Sequence, residues 1–180
     1  MDLAPDYAVE QVRGMLLNRL QKNFYHLNTG FTGTPYLCRA LSENGMNDIA
    51  YHLLMEKGYP GWLYEVLMGA TTIWERWNSV MPDGKVSGTE MNSMNHYSYG
   101  SIVEWMFRDM LGINPVEDAP GFKRFIVAPK PNYQIGSAAA KLDSASGLIE
   151  SEWAIEGGNL RFGKTLLALA AALEQHENYD

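Results

Sequence analysis

The pattern of apolar residues changes at Pro115, and this change constrains the fold of the 180-residue chain more than any other feature. Before Pro115, apolar residues recur at helical spacing, as they do between residues 6 and 24. After Pro115, short apolar runs such as residues 122–127 are separated by Gly- and Ser-containing turns, which is typical of antiparallel strands. The sequence therefore predicts a mainly α protein with a small β appendage.

Turn residues divide the α part into short helices joined by loops. Thr34 is expected to be an N-cap, with Pro35 at the first helical position, where its missing N–H costs nothing. The Asn44-Gly45 pair is expected to end that helix. Residues 78–94 are polar and predict an exposed loop. The predicted helices cover residues 6–24, 35–43, 46–56, 62–68 and 97–111.

The rest of the chain predicts short strands and then a helix. Strands are expected at residues 122–127, 138–142, 147–155 and 159–162, and an Ala- and Leu-rich helix at 165–175. We therefore divide the chain into an α part (1–115), a β part (116–163) and a helical tail (164–180). Short antiparallel helix pairs occur both in toroidal α/α barrels and in small bundles, and periodicity alone fits either.

Composition excludes several classes of function. The net charge of −7, with no cluster of Lys and Arg, argues against a binder of nucleic acid or anionic membranes. Cys38 is the only cysteine, so the chain has no intramolecular disulfide and no cysteine-ligated zinc site, and we expect a buried thiol. The four histidines show no ligand spacing, so a metal cofactor is not expected.

The sequence also predicts where the protein is found. It contains no apolar run of about 18 residues, so a membrane span is not expected. The first residues lack the basic and apolar regions of a secretory signal, which favours a cytoplasmic location.

Residues 69–105 combine a carboxylate, a histidine and several aromatic rings. Glu75 lies between Trp74 and Trp77, and His96 follows among tyrosines. Sugar rings stack on aromatic faces, while carboxylates and imidazoles bind hydroxyl groups. A glycosidase needs one carboxylic acid for the leaving oxygen and a second carboxylate for water or the anomeric carbon. This stretch therefore indicates a carbohydrate site with Glu75 as its catalytic candidate.

Each of these residues also has a structural interpretation. Glu75 could form an ion pair with Arg76 or another cation at the end of a helix. His96 could be a satisfied histidine where the loop enters the fifth helix. Trp62 and Trp74 could belong to the hydrophobic core, as large aromatic side chains commonly do. The residues alone leave these alternatives open.

Six sequence blocks in the same order resemble the inverting α-L-rhamnosidases, a family of bacterial glycoside hydrolases. The blocks are TGFTGTPYL (29–37), LSENG (41–45), YPGW (59–62), GATTIWERW (69–77), MNHY (94–97) and GI (112–113). The resemblance covers residues 6–162, which corresponds to the C-terminal part of such an enzyme. It implies an arc of an (α/α)6 barrel followed by a partial C-terminal antiparallel β domain.

The resemblance also implies a role for each candidate residue. Glu75 matches the general base that activates water for inversion at the anomeric carbon. His96 matches a histidine that contacts bound rhamnose, and Trp62 and Trp74 lie in motifs that line or support the sugar pocket. The implied substrate is a rhamnose-containing glycoside, and hydrolysis requires no metal or other cofactor.

The chain departs from the family in two places. The family's general acid lies in an upstream loop, and nothing in residues 1–56 resembles that loop. We therefore expect a fragment that is inactive alone, with its open barrel face covered by a second copy or a complementary polypeptide. Residues 164–180 predict a helix where the family continues with strands.

Two alternatives come from other functional classes. One is a non-catalytic module that binds carbohydrate or self-associates. The other is a phosphate-loop nucleotide binder, because GNLRFGKT (158–165) matches the pattern in which Lys164 and Thr165 would serve phosphate and Mg²⁺. Few residues follow this motif, which argues against a complete nucleotide-binding domain.

Overall fold

The structure is a computed structural model that describes residues 4–163. The chain divides into two compact units, Met1–Ile102 and Val103–Asp180. The predicted helical tail (164–180) lies outside the described residues. The predicted boundary at residue 115 stays a prediction.

The first unit consists of short helices, as the turn residues predict. A 3-10 turn, Asp6–Ala8, leads into α1 (Val9–Lys22). Three more helices follow, which are α2 (Thr34–Glu43), α3 (Asn47–Met55) and α4 (Trp62–Leu67). None of the helices in residues 4–163 is long and apolar enough to cross a membrane.

The expected N-cap at Thr34 is wrong. Helix α2 begins at Thr34 itself, and Gly33 occupies the cap position. The Thr34 hydroxyl is buried, donates to the Gly30 backbone oxygen at 2.9 Å and shares a 2.8 Å hydrogen bond with the Thr29 hydroxyl. Thr34 therefore closes the preceding turn and does not cap the helix.

The core of the first unit lies where α2 packs against α3. Leu41, Ala50, Tyr51 and Leu53 have no solvent exposure. Cys38 is buried, as expected. The predicted loop at residues 78–94 is largely exposed, but the Tyr64 hydroxyl donates to its Val80 backbone oxygen at 2.8 Å. That hydrogen bond attaches the loop to α4.

The fifth predicted helix is regular only in its middle. A 3-10 turn, Ser98–Ser101, precedes α5 (Ile102–Trp105), and a π-helical turn, Met106–Met110, follows it. The carbonyl groups of the widened turn accept side-chain hydrogen bonds. The Trp153 indole donates to Met110 O at 2.8 Å, and the Ser151 hydroxyl donates to Leu111 O at 2.7 Å. Sequence periodicity does not reveal these partners.

The second unit contains two antiparallel sheets in its described part. β1 (Ile113–Pro115) pairs with β2 (Phe125–Val127). The other sheet has the order β3 (Ser137–Ser144), β4 (Gly147–Glu156), β5 (Asn159–Phe162). The predicted strand at 122–127 is therefore shorter than expected, and the three-residue strand β1 was not predicted.

Candidate functional site

Glu75 lies in an irregular segment after α4 and is anchored to the loop that contains Ser93. Its backbone N–H donates to Ser93 O at 2.9 Å, and its Oε2 accepts the Ser93 N–H at 2.7 Å. The side chain is partly buried. The paired hydrogen bonds fix both the backbone and the carboxylate of Glu75.

The alternative ion pair between Glu75 and Arg76 is not found among the described residues. The Arg76 guanidinium donates instead to the Glu90 backbone oxygen at 2.6 Å. Arg76 therefore holds the outer part of the same loop, and its charge does not neutralise the Glu75 carboxylate through a direct contact.

An open cleft of about 310 Å³ exposes the Glu75 side chain. Its polar lining includes Glu75 and Arg76, and its aromatic lining consists of Phe31, Tyr59, Trp77 and Tyr99. A larger depression of about 570 Å³ lies over the β3–β4–β5 sheet and contains none of the residues predicted for the site. The smaller cleft is therefore the candidate site, because it joins a carboxylate to aromatic surfaces.

The aromatic floor of the cleft is rigidly packed. The rings of Trp77 and Tyr99 stack with centroids 3.8 Å apart and planes at 14°. Trp62 meets Trp77 edge-on at 5.3 Å, and its indole N–H donates to Tyr99 O at 2.9 Å. All three rings are buried, but Trp77 and Tyr99 line the cleft and Trp62 does not, so Trp62 supports the floor without reaching the cleft.

Trp74 is also buried, and its side chain does not line the cleft. Trp74 directly precedes Glu75, and its backbone N–H donates to Glu65 Oε2 at 3.4 Å. This hydrogen bond connects the Glu75 segment to α4. Both predicted tryptophans thus occupy supporting positions in this structure, and direct contact with a sugar stays a prediction.

His96 is connected to the Glu75 segment through the backbone. Its N–H donates to Ile73 O at 2.8 Å, and the hydroxyl of Thr72 donates to Met94 O. The imidazole lies between Phe31 and Tyr97, with centroid distances of 4.9 and 5.1 Å. Phe31 lines the cleft and His96 does not, so the structure places the imidazole against a lining residue and not in the cleft itself.

The hydrogen bonds of His96 define which nitrogen can donate. The Ser98 backbone N–H donates to His96 Nδ1 at 3.3 Å, so Nδ1 acts as an acceptor. In the neutral ring the proton then lies on Nε2. The orientation therefore gives His96 a donor suited to a hydroxyl oxygen.

Glu65 on α4 was not predicted, although it is the most strongly perturbed acid near the cleft. It is 2% exposed, and Oε1 has no hydrogen-bond partner among the described residues. Burial raises the pKa of its carboxyl group to about 7, while the Trp74 N–H acts in the opposite direction. The available signal was its spacing from Trp62, since residues three apart share one helix face.

No second carboxylate lines the cleft in the described part of the chain. Glu43 pairs with Arg39 at 2.8 Å. Glu56 accepts the Gly58 N–H at 2.6 Å and faces two histidines. Both carboxylates bind groups outside the cleft, so neither supplies an acid opposite Glu75. Within residues 4–163, no group of three or more His, Cys, Asp or Glu side chains could hold a metal ion.

The described part of the phosphate-loop motif does not form a phosphate cradle. Residues 159–162 form β5, which pairs with β4 through register partners such as Trp153 and Phe162. Lys164 and Thr165 lie outside the described residues. An extended strand does not form the compact loop of backbone N–H groups that holds phosphate, so the nucleotide-binding alternative loses its structural basis in this segment.

Comparison with known families gives two matches. The model of the bacterial alpha-L-rhamnosidase 6 hairpin glycosidase domain matches residues 1–110. The model of the bacterial alpha-L-rhamnosidase C-terminal domain matches residues 112–166.

Individual relatives with similar sequences are also named alpha-L-rhamnosidases. The chain is 39% identical to an alpha-L-rhamnosidase of Streptomyces avermitilis over 88% of its own length and 15% of the relative's. It is 41% identical to an alpha-L-rhamnosidase of Formosa agariphila over 88% of its own length and 17% of the relative's. The chain thus spans only a small part of these relatives.

Solved structures show the same fold. The S. avermitilis alpha-L-rhamnosidase complexed with L-rhamnose matches with a TM-score of 0.78 and 37% identity, over 88% of this chain and 15% of that one. The native enzyme from Aspergillus terreus matches with a TM-score of 0.80 and 32% identity, over 89% and 18%. The predicted fold class, part of an (α/α)6 barrel followed by part of a C-terminal β domain, is confirmed.

Proposed function

This chain belongs to the bacterial α-L-rhamnosidase family, and from this premise we propose that it carries the general base, but not the general acid, of a site for terminal α-L-rhamnosides. We call this the base-side proposal. Glu75 is the general base of this proposal, and His96 is its sugar ligand. Trp62 and Trp74 act from behind the cleft. The substrate class is a rhamnose-containing glycoside.

One observation carries the proposal: Glu75 is fixed by two hydrogen bonds to Ser93 at the edge of an aromatic cleft. The Ser93 N–H binds Oε2, which leaves Oε1 to accept a proton from water. In hydrolysis with inversion, Oε1 removes that proton as the water attacks the anomeric carbon. A positioned base of this kind contributes orders of magnitude to the rate.

The cleft has surfaces suited to a deoxy sugar. Rhamnose combines hydroxyl groups with an apolar methyl group, so it has both polar and apolar edges. Phe31 and Tyr59 are exposed aromatic rings of the lining, and the His96 imidazole stacks on Phe31 without lining the cleft itself. These features support rhamnose binding next to Glu75.

Hydrolysis also needs an acid to protonate the leaving oxygen. The described cleft has a single carboxylate, so we propose that the acid comes from a part of the six-hairpin domain that this chain lacks. The chain alone then binds sugar without efficient turnover. This lack of a second carboxylate also favours the second candidate, a non-catalytic carbohydrate-binding module.

The same reasoning applies to partners. Several apolar side chains of the first unit are exposed, among them Val66 and Leu67 at the end of α4, which are 60% and 64% exposed. Exposed apolar surface favours association. We propose that a second copy or a complementary polypeptide covers it. Light scattering at two protein concentrations, with Leu67→Glu as the test variant, separates self-association from a monomer.

The functional test is release of nitrophenol from an aryl α-L-rhamnoside by wild type and Glu75→Gln. Turnover by wild type that disappears in E75Q supports a complete active site. Rhamnose binding without turnover in either protein supports the base-side proposal. Equal turnover by both proteins contradicts the role of Glu75.

A further inference from the structure

A buried carboxyl group lies behind the candidate base and has no assigned role. Glu65 lies in the first turn of α4 and is 2% exposed. One of its oxygens, Oε2, accepts the Trp74 N–H at 3.4 Å. The other oxygen, Oε1, has no hydrogen-bond partner in the part of the chain that the structure describes.

The contact made by Glu65 leads directly to the candidate base. Trp74 is covalently bonded to Glu75, and the N–H of Glu75 pairs with Ser93 O. The segment is thus held on one side by the Ser93 loop and on the other by helix α4. The Glu65 side chain attaches the segment to α4, in addition to the hydrogen bonds that Ile73 and Thr72 make with the backbone of His96 and Met94.

The same helix also holds the floor of the cleft. Trp62, one turn before Glu65, donates its indole N–H to Tyr99 O at 2.9 Å. Two side chains on one face of α4 therefore bind backbone groups near the cleft, at Tyr99 and at Trp74. Loss of either side chain would remove one of the hydrogen bonds that connect α4 to these segments.

A carboxyl group at this position is costly to the fold. Leaving a buried oxygen without a partner costs free energy, and apolar side chains of similar size avoid that cost. A buried unsatisfied group in a native protein therefore calls for a functional explanation. The function that the described contacts support is that of Oε2, which accepts the Trp74 N–H and which an apolar side chain would not replace.

We propose that Glu65 is a positioning residue, whose carboxyl group holds the Trp74–Glu75 segment on α4 and thereby places the Glu75 carboxylate at the cleft. This inference rests on the proposed function of Glu75. Glu65 does not touch the substrate, so its effect on sugar binding passes through the Trp74 N–H.

The test compares Glu65→Met with Glu65→Gln in the full chain. Methionine keeps the length of the side chain but has no comparable acceptor, whereas glutamine keeps an acceptor oxygen. Glu43→Met is the matched control, because it makes the same chemical change at an exposed ion pair on α2. The readouts are amide hydrogen exchange at Trp74, referenced to Leu41 and Leu53 in the core, and affinity for L-rhamnose by calorimetry.

In E65M, exchange at Trp74 should rise about five- to tenfold relative to the core amides, which is the effect of losing one hydrogen bond. L-rhamnose affinity should fall by a similar factor. E65Q and E43M should match wild type within about twofold in both measurements. A purely structural role would change the core amides together with Trp74 and would not be rescued by glutamine.

Several outcomes would overturn the inference. They are unchanged exchange at Trp74 in folded E65M, rapid exchange at Trp74 in the wild type, and loss of protection in folded E65Q. If E65M does not fold, amide exchange at Trp74 in the wild type and in E65Q decides whether Glu65 holds the segment. If wild type does not bind L-rhamnose, the proposed function fails, while exchange at Trp74 still decides whether Glu65 holds the segment.

Discussion

Glu75 and Ser93 exchange two hydrogen bonds: the Glu75 N–H donates to Ser93 O at 2.9 Å, and the Ser93 N–H donates to Glu75 Oε2 at 2.7 Å. A loop residue thereby fixes the carboxylate proposed as the base. The chain separates the two residues widely, so sequence spacing alone does not predict their contact.

Removing the Ser93 N–H should release the Glu75 carboxylate. Ser93→Pro deletes this donor, whereas Ser93→Ala retains it. In an inverting reaction, the attacking water becomes the hydroxyl group on C1 of the product, so the base contacts free rhamnose at that position. L-rhamnose affinity measured by calorimetry should fall about tenfold in S93P and stay within about twofold of wild type in S93A. Equal affinities in the two folded variants would contradict the role of this hydrogen bond.

Glu65 should make the folded state less stable as pH rises. In the folded state, burial raises the pKa of the Glu65 carboxyl group from its ordinary value of 4.5 to about 7. Below pH 4.5 both states are protonated. Between 4.5 and 7 the unfolded state loses the proton first, so stability falls by up to about 3 kcal/mol and is constant above 7.

The variant Glu65→Gln isolates this effect. Urea unfolding from pH 4.5 to 8 should show a wild-type stability that declines relative to E65Q across that window. Tyr99 is the titratable side chain that faces Glu65, and burial raises its pKa above its usual 10, so it does not titrate in this range. A constant difference between the two proteins would show that Glu65 ionises normally in the folded state.

Glu56 should have the opposite dependence on pH. The Gly58 N–H lowers the pKa of this carboxyl group more than burial raises it, and His26 and His52 lower it further. Its stabilising contribution is therefore present above the ordinary pKa of 4.5 and is lost as pH falls through the lowered value. Glu56→Gln should be less stable than wild type at pH 7, with a difference that shrinks in acid. Glu43→Gln, which changes an exposed pair, should show little effect at either pH.

Gly112 should tolerate no side chain. Its φ is 74°, and a Cβ atom there would overlap the backbone of Ala128 and Pro129. Gly136 has a φ of 73° but open space around it, which makes it a matched control. Gly136→Ala should cost about 1 to 2 kcal/mol from the left-handed conformation alone. Gly112→Ala should cost more than about 3 kcal/mol or prevent folding of the second unit, as measured by urea unfolding. Equal costs would show that the backbone at 112 relaxes freely.

Much of the fold follows from local sequence. Gly, Pro and Asn residues end the helices close to the predicted positions, as at Glu43. The strands β3, β4 and β5 follow from turn residues between apolar runs. The π-helical turn at Met106–Met110 does not follow, because side chains far along the chain bind its carbonyl groups.

The candidate site was predictable in part. Glu75 and His96 stand out because a carboxylate and an imidazole occur among aromatic residues, and the structure links their segments through backbone hydrogen bonds. Phe31, Tyr99 and Glu65 were missed as site residues. Their roles depend on which element packs against which, and helix periodicity does not show that α4 lies behind the Glu75 segment.

The most direct test of the base-side proposal is a calorimetric titration of the full chain with L-rhamnose, comparing wild type and Glu75→Ala. Saturable binding by wild type that is at least about tenfold weaker in folded E75A is the predicted result, since a hydrogen bond to a charged group is lost. A folded wild-type chain that does not bind L-rhamnose, or an E75A variant that binds it equally well, would contradict the proposal.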